Sequence, residues 1–494
     1  MLLGVDLGTG SCKIMVLDPI NYKVRGEVVN EYSLLHPHLG WAEHNPKCYI
    51  KAVSDGIKKV MKVAHIEKDD IEAICIVSPR DSLIAIDKQG KNLVNCITWI
   101  DQRALQEEGI LKKELNLEEV IKITGSSIDY SFWAAKILWL KREKPETFKK
   151  IKYFLNPANY LAFQMANSIA LHPSGATRTM LFDINKLEWC KEICDVIGIS
   201  IDTLPHIEKR IKIIGEITQD AAKIFHLKKG TPVAVVCGDD PVAALAGGSI
   251  DLGFICISAA TNDVIYSPLK RPTFDLKGRM ECTCHVIENT WLFEASINAG
   301  GGSLRWFKDT FTPYKSYSYL DSIAEKVSPG ANGLLYYPYL WGARVPKFNP
   351  LATGVFFGVT NAHTLGHFVR AIMEGVALQY IEALEIIKEF NIHIEKLSLV
   401  GGGSKSKLWN MIKSCIINKN ILVPNISDVT VLGAAIIAGI ATNLFKFKNL
   451  DTVIHKSWGG YKIFKPNEET YKKYLEIYKR WNSIYKKLDE AWYL

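Results

Sequence analysis

The sequence predicts an α/β protein of two domains facing each other across a cleft, and three observations carry that reading. At 494 residues the chain exceeds what a single hydrophobic core supports. The stretch Gly230 to Ser249, GTPVAVVCGDDPVAALAGGS, reads as a buried strand, a tight turn bearing carboxylates, and a helix. A hairpin with small and hydroxyl residues at its turn opens the chain, Met1 to Leu17, and is echoed at Phe254 to Tyr266. Two related units, each beginning with such a hairpin, account for the echo.

Composition narrows the classes. Apolar residues make up 48% of the chain and charged residues 23%, as in an ordinary globular protein. The net charge of +8 is spread thinly, with no dense Lys/Arg block and interleaved aromatics, so a nucleic-acid partner is excluded. No apolar run reaches the roughly 20 residues of a membrane helix. Met1-Leu2-Leu3 enters a strand without a basic signal start, so no membrane role and a cytoplasmic location are expected. The eleven cysteines are scattered, mostly in apolar strands such as Ile74-Cys75-Ile76, and read as buried thiols in a reducing compartment. Cys282-Thr283-Cys284-His285 has ligand types for a metal, but alternation along a strand explains it better.

In the first hairpin, MLLGVDLGTGSCKIMVL, small residues at Gly8, Thr9, Gly10 and Ser11 let backbone N–H groups approach an anion. A plain β-turn also favours glycine, but it needs neither Asp6 in an apolar strand nor Lys13 just past the turn. A carboxylate for magnesium and a cation for phosphates account for both. A strand follows at Arg25 to Leu34, then Gly40-Trp41-Ala42-Glu43 and a helix from Pro46 to Val63. The strand Ile71 to Val77 ends in Ser78-Pro79-Arg80-Asp81, and Ile97 to Arg103 carries Trp99, Asp101 and Arg103. Such residues hold hydroxyl-rich ligands, through carboxylates that accept, arginines that donate and an indole that packs on a sugar face. Surface ion pairing explains Arg80 and Asp81 equally well when each is taken alone.

Residues 104–229 read as mainly helical, with His172 to Thr177 a loop. At the turn of the 230–249 stretch, Cys237-Gly238 ends the strand and Pro241 opens the helix. Asp240 is then either a helix cap or a functional carboxylate. After the second hairpin, with Thr261 at its turn, Asn298 to Trp306 enters a helix and Leu334 to Pro346 forms a rigid exposed turn. Leu365 to Glu389 is a long helix whose Arg370 and Glu374 make an i,i+4 pair. Gly401-Gly402-Gly403-Ser404 lies between a strand and a helix, where glycines permit close approach to a nucleotide. Val431 to Ala435 opens a small-residue helix. The tail places Tyr471, Tyr474, Tyr478, Trp481, Tyr485 and Leu488 on one helix face, a packing stripe.

In order and spacing these motifs resemble the FGGY carbohydrate kinases, nearly end to end. The resemblance implies two ribonuclease H-like (actin-like ATPase) domains, taken here as residues 1–244 and 245–445, with a helical tail at 446–494. It implies transfer of the ATP γ-phosphoryl group to a hydroxyl of a sugar or polyol. By the same resemblance Asp240 is the catalytic base and touches substrate, and Asp6 orients Mg2+. Thr9, Gly10, Lys13 and Thr261 contact phosphates, Gly402 and Gly403 face the adenosine, and Arg80, Asp81, Trp99 and Asp101 line the sugar pocket. The implied partners are the sugar and ATP; a homodimer is the default for a chain of this kind.

The chain also departs from the family pattern. Ala260 stands where a glycine usually precedes the threonine, and Met411 and Cys415 replace polar residues on the helix after the adenosine motif. Xylulokinase-like Gln-Met-His-Gly is absent; Pro79-Arg80-Asp81-Ser82 is nearer to the Arg-Glu pair of glycerol kinases. Chain length and layout resemble xylulokinases, so D-xylulose or a related pentulose is expected. The alternatives are a glycerol, polyol or gluconate kinase of the same family, or a non-catalytic sugar sensor that binds ATP.

Overall fold

The computed structural model describes residues 1–426 and 428–493, so the tail is seen as far as Tyr493. Its first sheet grows from the hairpin of Leu2–Leu7 (β1) and Ser11–Leu17 (β2), in which Leu2 pairs with Leu17 and Asp6 with Lys13. Every residue of β1 is buried, as a strand covered on both faces requires. Val24–Glu31 (β3) adds antiparallel to β2, and Ala73–Ser78 (β4) runs parallel on the other side of β1. Ile213–Glu216 (β5) forms the far edge, antiparallel to Pro232–Ala234 (β6); β6 and Cys237–Gly238 (β7) both run parallel to β4.

The second sheet repeats this plan. Phe254–Ala259 (β8) and Asp263–Leu269 (β9) are its hairpin, with Glu281–Cys284 (β10) and Trp291–Ile297 (β11) added antiparallel beyond β9. Lys396–Val400 (β12) is parallel to β8, Ile421–Pro424 (β13) is parallel to β12, and Tyr461–Phe464 (β14) closes the edge antiparallel. The order β3-β2-β1-β4-β6 thus matches β11-β9-β8-β12-β13, strand for strand and sense for sense. The hairpin echo in the sequence is the visible end of this duplication.

The helices that position the site are Lys47–Ala64 (α1), Asp239–Ala246 (α2), Gly300–Phe311 (α3), Leu365–Glu389 (α4), Lys407–Ile417 (α5), Val429–Ala441 (α6) and Glu468–Ala491 (α7). Helix α6 is buried along nearly its whole length and packs on β1, β2 and β4 of the first sheet, while α2 packs on α6 and on β8. Two helices therefore lie between the two sheets and join them. The predicted α/β class with two facing units is what the chain adopts.

Several local expectations change. The strand before Asp239 does not stop at Cys237-Gly238: it breaks at Val235, whose N–H turns to Lys212 O at 2.9 Å, and Cys237 and Gly238 pair again with Val77 and Ser78. Helix α2 begins at Asp239, so Pro241 is its third residue, where a missing N–H still costs no helical bond. Residues 334–346 are not an exposed turn; Tyr336, Tyr337, Tyr339 and Val345 are buried. Tyr337 stacks on Trp481, which sits with Tyr474 and Tyr485 on the buried face of α7. The aromatic stripe is core packing, as read. Within His172 to Thr177, Pro173–Ala176 makes one helical turn. All eleven cysteines are free and all but Cys48 are buried. His285 accepts from Ile287 N at 2.9 Å through Nδ1 and meets Ser249 O at 3.1 Å through Nε2, in keeping with the strand reading of 282–285. Among the described residues no helix is long and apolar enough to cross a membrane.

Candidate active site

Parallel pairing of β1, β4 and β7 brings three carboxyl ends side by side, and these ends carry Asp6, Arg80 with Asp81, and Asp239 with Asp240. Asp240 does not cap its helix; Gly238 holds the N-cap position and no side chain caps. Instead Asp240 Oδ2 accepts from Arg80 Nη2 at 2.7 Å and Oδ1 accepts from the Tyr266 hydroxyl at 2.6 Å. About a third of the side chain, 36%, stays open. Burial by itself would raise this carboxyl, but Arg80, then Tyr266 and Arg178, outweigh it and hold the group below the ordinary 3.8. The result is an ionised carboxylate with part of its surface open.

Arg80 is wholly buried and divides its guanidinium between the two halves of the chain. Beside Asp240, it donates to Glu294 on β11, Nη2 to Oε2 at 3.0 Å and Nη1 to Oε1 at 3.3 Å. Glu294 also accepts from Thr283 Oγ1 at 2.5 Å. Burial raises its carboxyl despite Arg80. Asp81 turns the other way: Arg178 donates to it through Nε at 3.1 Å and Nη2 at 3.0 Å, and also pairs with Glu281 on β10. Arg178 holds a left-handed backbone with φ of 65°, an uncommon conformation for a long side chain. Arg344 continues the chain of charges, 3.5 Å from Asp129 and 4.0 Å from Glu281.

Thr9 and Gly10 sit at the turn of the first hairpin, closed by Gly8 N donating to Ser11 O at 2.9 Å. The Trp99 indole donates to Thr9 Oγ1 at 2.7 Å, which ties the 97–103 segment to this turn. Lys13 Nζ lies 3.7 Å from Asp6 and 2.5 Å from Asp428, which also caps α6 by accepting from Thr430 N and Val431 N. Burial pushes the Asp6 carboxyl up to about 7 against the pull of Lys13, with Asp428 and Asp240 adding to the rise. Asp239, half-buried beside Asp240, is pushed up by its low-dielectric surroundings and has Asp240 and Asp6 among the charges acting on it.

A carboxylate held in this way suits a hard cation. Among the described residues no three His, Cys, Asp or Glu side chains gather as a metal cage. Magnesium needs none, since one carboxylate, phosphate oxygens and water make up its usual set. Asp6 fits such an ion.

Thr261 is exposed at the turn of the second hairpin. The glycine turn after β12 packs directly on that hairpin: Gly401 has φ of 84°, and a side chain there would stand 2.6 Å from Ala259 O. Gly401, and Gly403, where a side chain would stand 2.9 Å from Ala259 Cβ, are therefore the positions that call for glycine; Gly402 is open and exposed, with nothing within 4 Å. Of the four sugar-side candidates, Arg80 reaches Asp240 and Trp99 reaches Thr9. Asp101 is enclosed, accepting from Ala42 N at 2.6 Å and from Arg103 Nε and Nη2 at 2.8 Å. It braces the Gly40 to Glu43 turn, where Arg103 lies 3.7 Å over the Trp41 ring.

Sequence reasoning missed Tyr266, Glu294, Arg178, Glu281 and Asp428. Glu294 carried the same signal as Asp6, a charge in an apolar strand, WLFEASI. Asp428 stands before an apolar helical run, a readable cap. Nothing local marks Tyr266 or Arg178.

Known proteins resemble this chain along nearly its whole length. The N-terminal domain model of the FGGY family of carbohydrate kinases matches residues 1–247 and the C-terminal domain model matches residues 271–442. The chain is 29% identical to a xylulose kinase of Bacillus subtilis (strain 168) over 473 residues, 96% of this chain and 94% of that one. It is 31% identical to a gluconokinase of the same organism over 484 residues, 96% and 93% respectively. The crystal structure of a ligand-bound xylulose kinase from Lactobacillus acidophilus superposes with a TM-score of 0.91 at 24% identity, covering 99% of this chain and 98% of that one. The chain belongs to the FGGY family of carbohydrate kinases and is a phosphotransferase with an alcohol group as acceptor.

Proposed function

We propose that the enzyme transfers the γ-phosphoryl group of ATP to a hydroxyl of a neutral pentulose of the D-xylulose type, with Asp240 as the base. The observation that carries the assignment of the base is the Asp240 carboxylate, ionised, fixed by Arg80 and Tyr266, and a third open. One fixed donor on each oxygen leaves each a free lone pair for the substrate O–H. In a loose transition state the base takes the proton late, so a weakly basic carboxylate suffices; its part is about 10²- to 10⁴-fold. Thr9, Gly10, Lys13 and Thr261 orient the phosphates, and Gly402 and Gly403 face the adenosine side. Asp6 would hold a magnesium ion, which would supply charge neutralisation to the phosphates when bound. Trp99 contacts the sugar, Arg80 acts on it through Asp240, which it holds, and Asp81 and Asp101 hold the pocket walls through Arg178 and Arg103. The domains are taken as 1–244 and 245–445 with a tail from 446; work in the cytoplasm as a homodimer fits this reading.

The charge pattern favours a neutral acceptor. Arg80, Arg178 and Arg344 each already face two carboxylates, Asp240 and Glu294, Asp81 and Glu281, and Asp129 and Glu281. A substrate carboxylate would have to displace one of these acids. The likeness to a gluconokinase keeps an aldonate as the second reading. Coupled ADP release over D-xylulose, other ketopentoses, glycerol and D-gluconate decides between them. The pentulose is expected to give the highest kcat/KM; gluconate giving the highest would overturn the substrate assignment, and ADP release independent of any sugar would overturn the kinase mechanism.

A further inference from the structure

Beneath the second hairpin lies a charged group that the mechanism above does not use. Asp263 and Lys413 are both fully buried, and so is Tyr380, which donates to Asp263 Oδ2 at 2.6 Å. The other carboxylate oxygen accepts from Ala260 N at 3.1 Å, the first residue of the hairpin turn. The carbonyls of that turn are held from the opposite side: Gly301 N donates to Ala260 O at 2.8 Å and Gly302 N to Thr261 O at 2.9 Å, both from the first turn of α3. A side chain at Gly300 would stand 2.3 Å from the Asp263 carboxyl, so the carboxylate is seated against the start of α3. There the helix dipole favours its charge.

Lys413 projects from α5, the helix that follows the glycine turn on the adenosine side. Its ammonium has no hydrogen-bond partner among the described residues and lies 4.3 Å over the Trp409 ring and 5.6 Å from that of Tyr380. An unpaired buried cation is costly unless a counter-charge is near. Asp263 is the carboxylate nearest in kind: it makes no direct ion pair with Lys413 and is reached through Tyr380, whose ring faces the ammonium and whose hydroxyl donates to Asp263. Burial draws the lysine down to about 8 against the support of Asp263, and Lys413 in turn opposes the burial that raises Asp263.

We propose that Lys413 and Asp263 are positioning residues for ATP: the buried pair, with Tyr380, fixes the Ala260–Asn262 turn that presents Thr261 to the phosphates. The inference rests on the reading of that turn as a phosphate contact. It links the adenosine side of the nucleotide to its phosphate side through Lys413 on α5, Tyr380 on α4 and Asp263 at the foot of the hairpin.

The test is steady-state kinetics on the full-length Lys413→Met, Asp263→Asn and Tyr380→Phe enzymes, varying ATP and sugar separately, alongside thermal melts. Lys413→Met and Asp263→Asn are each expected to raise the KM for ATP about tenfold and Tyr380→Phe about threefold, with the KM for sugar within twofold of wild type. The double variant Lys413→Met/Asp263→Asn should be less impaired than the sum of its singles, because it leaves no lone buried charge. Lys413→Arg should restore part of the ATP affinity. A KM for ATP within twofold of wild type in Tyr380→Phe and in every folded variant, with only the melting temperature lowered, would reduce the group to a packing role and overturn the proposal. Should the lysine or aspartate variants fail to fold, Tyr380→Phe decides alone. Failure of the wild type to saturate with ATP at all is a different result and overturns the kinase mechanism instead.

Discussion

The hydroxyl of Tyr266, on the second sheet, donates to Asp240 Oδ1 at 2.6 Å, at the end of the first sheet. The proposed base is thus held by a residue from the other half of the chain, and its orientation depends on how the two halves close. Tyr266→Phe removes this donor and little else. Hydrogen bonds to charged groups contribute about 1.5–3 kcal/mol, so kcat/KM should fall about ten- to a hundredfold with the fold retained. Stopped or steady-state assays at saturating ATP check this.

The pH dependence follows from the same contacts. Asp240 is lowered below 3.8 by Arg80 and Tyr266 against the rise from burial, so the folded enzyme keeps it ionised until pH falls below that value. The interaction is stabilising above the unfolded carboxylate pKa and is lost as pH falls through the folded one. The acid limb of kcat/KM set by Asp240 should lie below about pH 4, and Tyr266→Phe should move it upward. A pH–rate profile of both enzymes reads the shift directly.

Arg80→Met should be far more damaging to stability than its place near a substrate suggests. It leaves Glu294 buried without its cation and Asp240 without its partner. Breaking a buried pair from one side costs about 3–5 kcal/mol. Urea denaturation should show that loss, and adding Glu294→Gln should recover part of it.

Lys13 and Asp428 separate binding from capping. Lys13→Met removes a proposed phosphate cation and should raise the KM for ATP about tenfold or more. Asp428→Asn keeps an N-cap acceptor for Thr430 and Val431, since Asn caps about as well as Asp, and should change melting little. It also frees Lys13, so the KM for ATP should stay level or fall. Parallel ATP titrations and melts of the two variants check both statements.

The tail is part of the body. Trp481 is fully buried, donates its indole N–H to Tyr336 O at 3.0 Å and stacks on Tyr337 at 4.9 Å. Trp481→Ala should destabilise by about 3–5 kcal/mol in urea denaturation without altering either KM.

Elements whose cause is local were legible in the sequence. The two hairpins, the strand–turn–helix at Asp240, the long helix at 365–389 and the aromatic face of α7 each write their periodicity or turn chemistry into a short window. Long-range causes were not. Asp101 looked like a pocket carboxylate because nothing in Ile97 to Arg103 reveals that Arg103 folds back on it or that Ala42 N–H meets it from 59 residues away. Arg370 and Glu374 read as an ordinary i,i+4 helix pair, and nothing local shows that both are buried or that Tyr474 from α7 joins them through its hydroxyl. The residues 334–346 looked exposed because their prolines and glycine mark turns, while burial of their tyrosines depends on a helix more than a hundred residues later. Asp240 itself was readable as an acid at a strand end, but the choice between cap and base rested on Arg80 and Tyr266, which only the fold brings to it.

The most direct measurement is the turnover of Asp240→Asn with D-xylulose and ATP, together with its ATP affinity by calorimetry. Turnover is expected to fall by about 10²- to 10⁴-fold while the Kd for ATP stays within about threefold of wild type. Turnover close to that of wild type would contradict the assignment of Asp240 as the base.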